Sequence, residues 1–274
     1  MHRREFLDRL SEIAGSTAAA VALMPLLQNN YAQAAIIAPD DGHLSSERVA
    51  FDSPKAKING YLVRPTSKGR RPAVLVIHEN RGLNPHLEDV ARRFATEGYL
   101  AYAVDLLSLV GGTPENEDAA RDLHTKMNQD DAVTALVSAV SFLKRHAEST
   151  GKVGAVGFCF GGLMVNRLAA SSPDLDAGVA FYGRQVPAAQ VPNIKAPLLL
   201  NYAENDDGVN SGIPAYEAAL KANNKKYTMY TYPGTQHAFF NDTGAARYNK
   251  AAADLAWNRT LAFFKDTLGA PIKS

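Results

Sequence analysis

The chain has 274 residues, 46% of them hydrophobic, and a formal net charge of +1. This length suits one large α/β domain, and the hydrophobic fraction excludes a largely disordered chain. The balanced charge, with no cluster of Lys and Arg among aromatic residues, excludes the basic face that a nucleic-acid partner requires. A single cysteine excludes an intramolecular disulfide, and without paired His or Cys motifs we expect no metal site.

Residues 1–34 have the pattern of an export signal. Two arginines precede Phe6-Leu7, an uncharged Ala-rich stretch follows, and Ala32-Gln33-Ala34 is a small-residue site of the kind that signal peptidase accepts. The pattern resembles a twin-arginine signal and predicts a periplasmic or otherwise exported mature chain with no stable membrane association. The alternative is a cytoplasmic protein that retains an N-terminal helix. We expect residues 35–274 to form a single domain.

Two hydrophobic patterns alternate along this domain. Polar and apolar residues alternate from Glu47 to Pro65 and predict two short strands; beyond Pro72, fully apolar runs alternate with stripes of helical spacing. Such runs are typical of a parallel sheet covered by helices on both faces, which predicts the α/β class. The predicted strands are Arg48–Phe51, Ile58–Val63, Ala73–Ile77, Leu100–Val104, Val153–Val156, Val179–Tyr182, Leu198–Leu200 and Tyr227–Tyr232.

The segment from Leu107 to Met127 differs from the rest of the domain. It is polar, is broken by Gly111-Gly112-Thr113-Pro114, and directly follows the end of a predicted strand. Ligands of open α/β sheets bind at the edge where the strands end, so the segment is a candidate pocket rim or lid. An ordinary surface excursion is the alternative.

The sequence Gly157-Phe158-Cys159-Phe160-Gly161-Gly162 lies between a predicted strand and a predicted helix. A nucleophile flanked by glycines in this setting is a nucleophile elbow, where the glycines let strand and helix approach closely. The elbow holds the nucleophile in a strained conformation at a helix N-terminus, whose N–H groups favour a thiolate. We therefore expect Cys159 to be the nucleophile, and a buried structural cysteine is the alternative.

A nucleophile of this kind needs a base, and His237 lies in a loop after the last predicted strand. Asp206 and Asp207 follow the strand Leu198–Leu200, and the order nucleophile, acid, histidine is that of α/β-hydrolases. Because each residue follows its own strand, we expect all three to converge on one edge of the sheet. Asp206 is preferred as the acid because it comes first, and Asp207 remains possible.

Most of the other histidines are expected to be solvated, in loops or on exposed helix faces. This group comprises His43, His86, His124 and His146. His78 lies at a strand end beside the predicted site and remains a candidate for a role in it.

Several motifs together resemble the dienelactone hydrolase family. They are His78 to Gly82, Tyr99 to Leu106, Gly157 to Gly162, Phe181-Tyr182-Gly183 and Gly234 to Phe239, and the resemblance extends from about Ile58 to the C-terminal helix. It implies a single α/β-hydrolase domain that needs no metal or organic cofactor. It also implies a small-molecule ester or lactone as the substrate.

The resemblance implies roles for residues around the nucleophile. It implies that Glu79 hydrogen-bonds the resting thiol and helps to deprotonate it when substrate arrives; a structural ion pair with Arg81 is the alternative. It assigns the oxyanion hole to the backbone N–H groups of Phe160 and Asn80, of which Phe160 also follows from elbow geometry. We expect Arg81 and Tyr182 to contribute to substrate binding.

The chain departs from the family at the two arginines that hold the carboxylate of dienelactone. Leu109 and Asn241 stand at those positions, and Arg81 is the nearby arginine that can substitute. The reaction class therefore transfers better than the substrate does.

Taken together, the residues predict a hydrolase that cleaves a carboxylic ester or lactone through an acyl-enzyme on Cys159, with His237 as base and Asp206 as orienting acid. Acyl transfer to another acceptor and peptide cleavage are the rival activities. A non-catalytic binding protein of the same fold is the rival from another functional class.

Overall fold

The computed structural model of the protein describes residues 35–273. The predicted export signal lies outside the described residues and stays a prediction. Within this part of the chain, no helix is both long enough and apolar enough to cross a membrane.

An eight-stranded sheet forms the centre of the structure, with the strand order β1-β2-β4-β3-β5-β6-β7-β8. The pairs β1–β2 and β2–β4 are antiparallel, and all other pairs are parallel. The strands are β1 Leu44–Asp52, β2 Lys57–Pro65, β3 Arg71–Ile77, β4 Leu100–Val104, β5 Ser149–Phe158, β6 Ala177–Phe181, β7 Leu198–Asn205 and β8 Tyr227–Gln236. Every strand predicted from the sequence overlaps one of these.

Helices cover both faces of the sheet. They are α1 Pro85–Thr96, α2 Glu117–Lys126, α3 Gln129–Arg145, α4 Phe160–Ser171, α5 Asp207–Asn210, α6 Ile213–Ala222 and α7 Lys250–Leu268, with short 3-10 helices at Leu106–Val110 and Ala188–Asn193. Asparagine caps the N-termini of α1, α2, α3 and α7, where its side-chain oxygen accepts a backbone N–H of the first turn.

The residues of β3 show why the strands are apolar throughout. Leu75 and Ile77 belong to the core between the sheet and helices α3 and α4, whereas Val74 and Val76 belong to the core between the sheet and helices α1 and α7. Side chains of a strand alternate between the two faces, so a strand covered on both sides needs apolar residues at every position. The predicted class, a mostly parallel sheet between two layers of helices, is confirmed.

A buried ionic network connects α1 with two distant segments. Asp89 accepts hydrogen bonds from the backbone N–H groups of Ile36 and Ile37, at 3.2 and 2.9 Å. Arg93 Nε donates to Asp89 at 2.7 Å, and the same guanidinium pairs with Asp242 in the loop between β8 and α7. The network therefore holds the start of the domain and the β8–α7 loop against one helix.

His86 belongs to this network, where the sequence predicted a solvated histidine. It is buried, and its Nδ1 lies 3.1 Å from Asp242 Oδ1. The prediction was wrong because the partner comes from a loop far along the chain, which no local pattern around His86 reveals.

Replacing Asp89 by Ala should lower the free energy of unfolding by about 3–5 kcal/mol, because it removes one partner of a buried ion pair. Urea denaturation followed by circular dichroism measures the change. Asp254→Ala is the matched control, because Asp254 forms an ion pair of the same i,i+4 spacing with Lys250 on an exposed helix face. This control should cost less than about 1 kcal/mol. Similar losses in the two variants would contradict the prediction.

Candidate active site

Cys159 occupies the sharp turn between β5 and α4 in a strained backbone conformation. Its φ is +56° and its ψ is −113°, a backbone conformation that residues other than glycine rarely adopt. A Cβ atom on Gly157 would lie 2.1 Å from Gly161 O, and one on Gly161 would lie 2.3 Å from Ile77 O. Only glycine fits at either position, so the turn has the geometry expected of a nucleophile elbow.

The Cys159 sulfur is a thiol in the free protein. Burial raises the pKa of Cys159 to about 12; the negative charge of Glu79 adds to the rise, and the N–H of Phe160 opposes it. The helix N-terminus seen in the sequence favours a thiolate, whereas the family resemblance implied a resting thiol. The effect of the helix is present but smaller than the cost of burying a thiolate beside a carboxylate. Among residues 35–273, no side chain hydrogen-bonds this sulfur.

His237 and Asp206 meet at the same edge of the sheet. His237 Nδ1 lies 2.6 Å from Asp206 Oδ2, which leaves Nε2 as the ring nitrogen available for proton transfer. Asp207 instead begins the short helix α5. The two acids that the sequence left open are thus distinguished by contact, because Asp206 is the one that reaches His237.

Glu79 and Tyr182 lie on either side of Cys159. The paired positions of β3, β5 and β6, extended past the strand ends, make these three residues equivalent on neighbouring strands. The pairing of β5 and β6 continues to this level, because the Cys159 N–H donates to Phe181 O at 3.0 Å. The Tyr182 ring also packs against the His237 ring, with 5.0 Å between centroids.

Asn241 holds the carboxylate of Glu79. Its Nδ2 donates to Glu79 Oε2 at 3.0 Å, while its Oδ1 accepts from the Thr243 N–H at 3.1 Å and from Thr243 Oγ1 at 2.6 Å. The two donors on Oδ1 fix which end of the amide faces Glu79. The sequence analysis noted Asn241 only because it replaces a family arginine, and no local pattern indicated its hydrogen bond to Glu79.

Arg81 forms an ion pair with Glu117, and not with Glu79, the partner that the sequence suggested. Its Nη1 lies 3.0 Å from Glu117 Oε2 at the start of α2, so the expected alternative pair with Glu79 does not form. Leu109 and Asn241 stand where the family has arginines, and Leu109 packs against the hydrophobic core. Neither Leu109 nor Asn241 supplies a cation, although the positive charge of Arg247 reaches Cys159 and Tyr182.

The N–H groups assigned to the oxyanion hole flank the turn. Phe160 is the first residue of α4, so its N–H has no carbonyl acceptor within the helix. Asn80 follows β3 and is half-buried, and no backbone acceptor contacts its N–H in the described part of the chain. Both groups are therefore available to an oxyanion beside Cys159.

The segment after β4 is anchored to the domain. Asp105 accepts hydrogen bonds from the N–H groups of Leu107 and Thr113, both at 3.0 Å, and from Thr113 Oγ1 at 2.7 Å. Thr113 Oγ1 also accepts from the N–H of Leu83, close to the site. These hydrogen bonds fix the first part of the segment against the loop after β3, and Asp105 is a capping residue of a kind that local sequence pattern can indicate.

His78 and His124 lie near the site and have different environments. His78 is buried; its Nε2 accepts from the Leu106 N–H at 3.0 Å, and its Nδ1 lies 2.6 Å from Glu79 O. Burial lowers the pKa of His78, so the ring is a neutral structural link between two backbone segments. His124 was expected to be solvated, but it packs edge-on against the Phe160 ring at 4.4 Å, because α2 folds back over the start of α4.

Residues 58–268 match the family model described as "Dienelactone hydrolase family". The match spans well over half of the chain and contains Cys159, His237, Asp206 and Glu79. The chain belongs to the dienelactone hydrolase family. Its membership of this hydrolase family confirms the resemblance seen in the sequence motifs.

Relatives of similar length share the whole domain. "Protein usf" of Aquifex pyrophilus is 38% identical over 233 residues, covering 81% of this chain and 99% of the relative. A protein of Saccharolobus solfataricus named "Putative carboxymethylenebutenolidase" is 31% identical over 255 residues, covering 80% of this chain and 98% of the relative.

Solved structures agree on the fold. A crystal structure titled as a "Putative Dienelactone Hydrolase" from Klebsiella pneumoniae matches with a TM-score of 0.73 and 28% identity, over 81% of this chain and 98% of that one. A dienelactone hydrolase from Anabaena variabilis matches with a TM-score of 0.63 and 24% identity, which is a likeness of fold alone. The α/β-hydrolase fold that the sequence predicted is confirmed.

For this dienelactone hydrolase family member, Glu79→Gln should make Cys159 easier to alkylate. Removing the carboxylate charge lowers the thiol pKa from its value of about 12. The thiolate fraction at about pH 8–10 therefore rises, because a nearby negative charge disfavours the anion. Iodoacetamide labelling followed by mass spectrometry reports on Cys159 alone, since it is the single cysteine.

Glu47→Gln, on the exposed edge strand β1, controls for a general change in net charge. It should label at the wild-type rate. If Glu79→Gln labels more slowly than the wild type, the inferred effect of the Glu79 charge on the thiol is wrong.

Proposed function

We propose that this protein hydrolyses a small carboxylic ester or lactone, with Cys159 as the nucleophile, His237 as the general base and Asp206 as the acid that orients it. The observation that carries the proposal is the strained Cys159 turn at the same sheet edge as the His237–Asp206 contact of 2.6 Å. A nucleophile, a base and an orienting acid in this chain order are the parts that acyl transfer through a covalent intermediate requires.

In the first half of the reaction the thiol proton passes to His237 Nε2, and the sulfur of Cys159 attacks the substrate carbonyl carbon. The oxyanion that forms accepts hydrogen bonds from the N–H groups of Phe160 and Asn80. Collapse of this intermediate breaks the carbon–oxygen bond. The leaving oxygen takes the proton from His237, and the acyl group remains on sulfur as a thioester.

In the second half His237 accepts a proton from water, which attacks the thioester carbonyl. Collapse of the second intermediate breaks the carbon–sulfur bond and releases the carboxylic acid, and the proton returns from His237 to the sulfur. Asp206 stabilises the imidazolium in both halves and does not itself become protonated.

Glu79 assists the removal of the thiol proton. A free-enzyme pKa of about 12 for Cys159 means that the thiolate must form as substrate arrives, not before. The register of β3 and β5, extended past Ile77 and Gly157, places Glu79 opposite Cys159, and Glu79 Oε1 is buried without a hydrogen-bond partner among residues 35–273. The charge of Glu79 keeps the thiol protonated at rest. Once a substrate is bound, this carboxylate can take the thiol proton and pass it to His237.

Replacing Cys159 by Ala should abolish the hydrolysis of a chromogenic short-chain ester while leaving the circular dichroism spectrum unchanged. Loss of a nucleophile ordinarily costs several orders of magnitude in kcat. Residual turnover above about a tenth of the wild-type value would show that Cys159 is not the nucleophile.

The neighbouring acids provide a matched control for the base. Asp206→Asn should lower kcat by several orders of magnitude, because the amide no longer holds His237 in the reactive tautomer. Asp207→Asn should retain wild-type turnover, since Asp207 begins helix α5 and makes no contact with His237.

We further propose that the substrate is uncharged near its acyl group. Glu79 is buried, and its hydrogen-bond partner is the neutral amide of Asn241 at 3.0 Å. Leu109 supplies no charge, and Arg81 is paired with Glu117. Arg247 is a further cation, and its charge reaches Cys159 and Tyr182. A substrate carboxylate would therefore approach the Glu79 charge without an arginine at either family position to hold it.

The measurement compares kcat/KM for dienelactone with that for a neutral lactone of similar size, and we expect the neutral lactone to be the better substrate. Each missing charge-assisted hydrogen bond typically costs about 1.5–3 kcal/mol. A tenfold or greater preference for dienelactone would show that another cation takes over the carboxylate. Arg81→Ala and Arg247→Ala would then identify which of the two arginines is that cation.

A further inference from the structure

Two buried polar atoms beside Cys159 have no hydrogen-bond partner within residues 35–273. They are Glu79 Oε1 and Tyr182 Oη. Glu79 is 8% exposed and Tyr182 is 1% exposed, so bulk water does not reach them freely. Buried polar groups in native proteins are nearly always paired, and a pair of exceptions next to a nucleophile indicates atoms that a ligand satisfies.

Tyr182 is held rigidly in a strained conformation. Its φ is +37°, and its N–H donates to Asn201 O at 2.7 Å. The ring is fixed between those of His237 and Phe239, with centroid distances of 5.0 and 5.5 Å. Backbone strain of this kind is typical of functional sites, where the surrounding structure holds a side chain in one place.

The phenol of Tyr182 is a hydrogen-bond donor throughout the working pH range. Burial raises the pKa of Tyr182 well above its ordinary value, and the charges of Glu79 and Cys159 add to the rise. These charges act on Tyr182 because the three side chains share one level of the sheet edge.

Glu79 Oε1 is the matching acceptor. The other oxygen of this carboxylate accepts from Asn241 Nδ2 at 3.0 Å, and Thr243 fixes the orientation of that amide. The edge beside Cys159 thus presents one donor and one acceptor, both immobile. A hydroxyl group is the simplest group that accepts from the first and donates to the second.

We propose that Tyr182 and Glu79 together bind a hydroxyl group on the carbon next to the substrate carbonyl, so that this site takes esters and lactones of 2-hydroxy acids. The inference rests on the proposed function, because it requires the carbonyl carbon to lie at the Cys159 sulfur. The carbon next to the carbonyl then lies between the residues that flank Cys159.

A substrate hydroxyl that enters between Tyr182 Oη and Glu79 Oε1 makes both hydrogen bonds, whereas a C–H group in its place makes neither and leaves both buried atoms unpaired. The site therefore favours the hydroxylated substrate over its unsubstituted analogue. An uncharged hydroxyl also agrees with a site whose buried carboxylate has a neutral partner.

The test uses α-hydroxy-γ-butyrolactone and γ-butyrolactone, which differ by one hydroxyl group. We would measure kcat/KM for both by pH-stat, in the wild type and in Tyr182→Phe, and take the ratio of the hydroxylated to the plain lactone. Differences in intrinsic reactivity cancel when the ratio is compared between the two enzymes. Tyr182→Phe should lower the ratio about three- to tenfold, as expected for one hydrogen bond between uncharged groups.

Tyr99→Phe is the matched control. Tyr99 is also buried with an unpartnered hydroxyl, but it packs against Phe94 and Phe264 just before β4, at the opposite edge of the sheet. In Tyr99→Phe, the ratio of kcat/KM for the hydroxylated lactone to that for the plain lactone should equal the wild-type ratio.

An unchanged ratio in Tyr182→Phe overturns the inference, even if the melting temperature of the variant changes, because Tyr182 then only packs. If the enzyme hydrolyses the plain lactone but the ratio does not change in Tyr182→Phe, the proposed function stands and the preference for a 2-hydroxy substrate is wrong. If the wild type hydrolyses neither lactone nor any short-chain ester, both proposals fail together.

Discussion

The close approach of β5 and α4 is the constraint on which the site depends. Because no Cβ atom fits at Gly157 or Gly161, the turn between them has one geometry, and Cys159 takes a positive φ within it. The sheet on one side and the helix on the other hold this strain in place. The strand register then places Glu79 and Tyr182 beside the same residue without any further device.

Opposing electrostatic effects meet at the sulfur. The first N–H of α4 favours the thiolate, whereas burial and the carboxylate of Glu79 disfavour it, and the latter effects are larger. The turn thus places the proposed nucleophile at the edge of the sheet in an environment that keeps it protonated. In the proposed reaction, the thiolate forms only once a substrate arrives.

The sequence predicts well what local pattern determines. Apolar runs located the strands because a strand buried on both faces must be apolar at each position, and glycine spacing located the Cys159 turn because steric limits act over a few residues. Chain order also favoured Asp206, the residue that contacts His237.

Contacts between distant loops could not be predicted in this way. His86 with Asp242, Arg81 with Glu117 and Asn241 with Glu79 join segments whose relative position depends on the whole fold. The protonation state of Cys159 did not follow from local pattern either, and it was the family resemblance that implied a resting thiol. The helix N-terminus is visible in the sequence, whereas the depth of burial that outweighs it is a property of the assembled domain.

The protonated state of Cys159 also has a consequence for chemical durability. Peroxides oxidise the thiolate much faster than the thiol, so a high pKa slows the first step toward sulfenic acid. The chain contains one cysteine, so no second thiol can capture a sulfenic acid as an intramolecular disulfide and allow its reduction. For this protein, keeping the sulfur protonated is the protection that the fold itself provides.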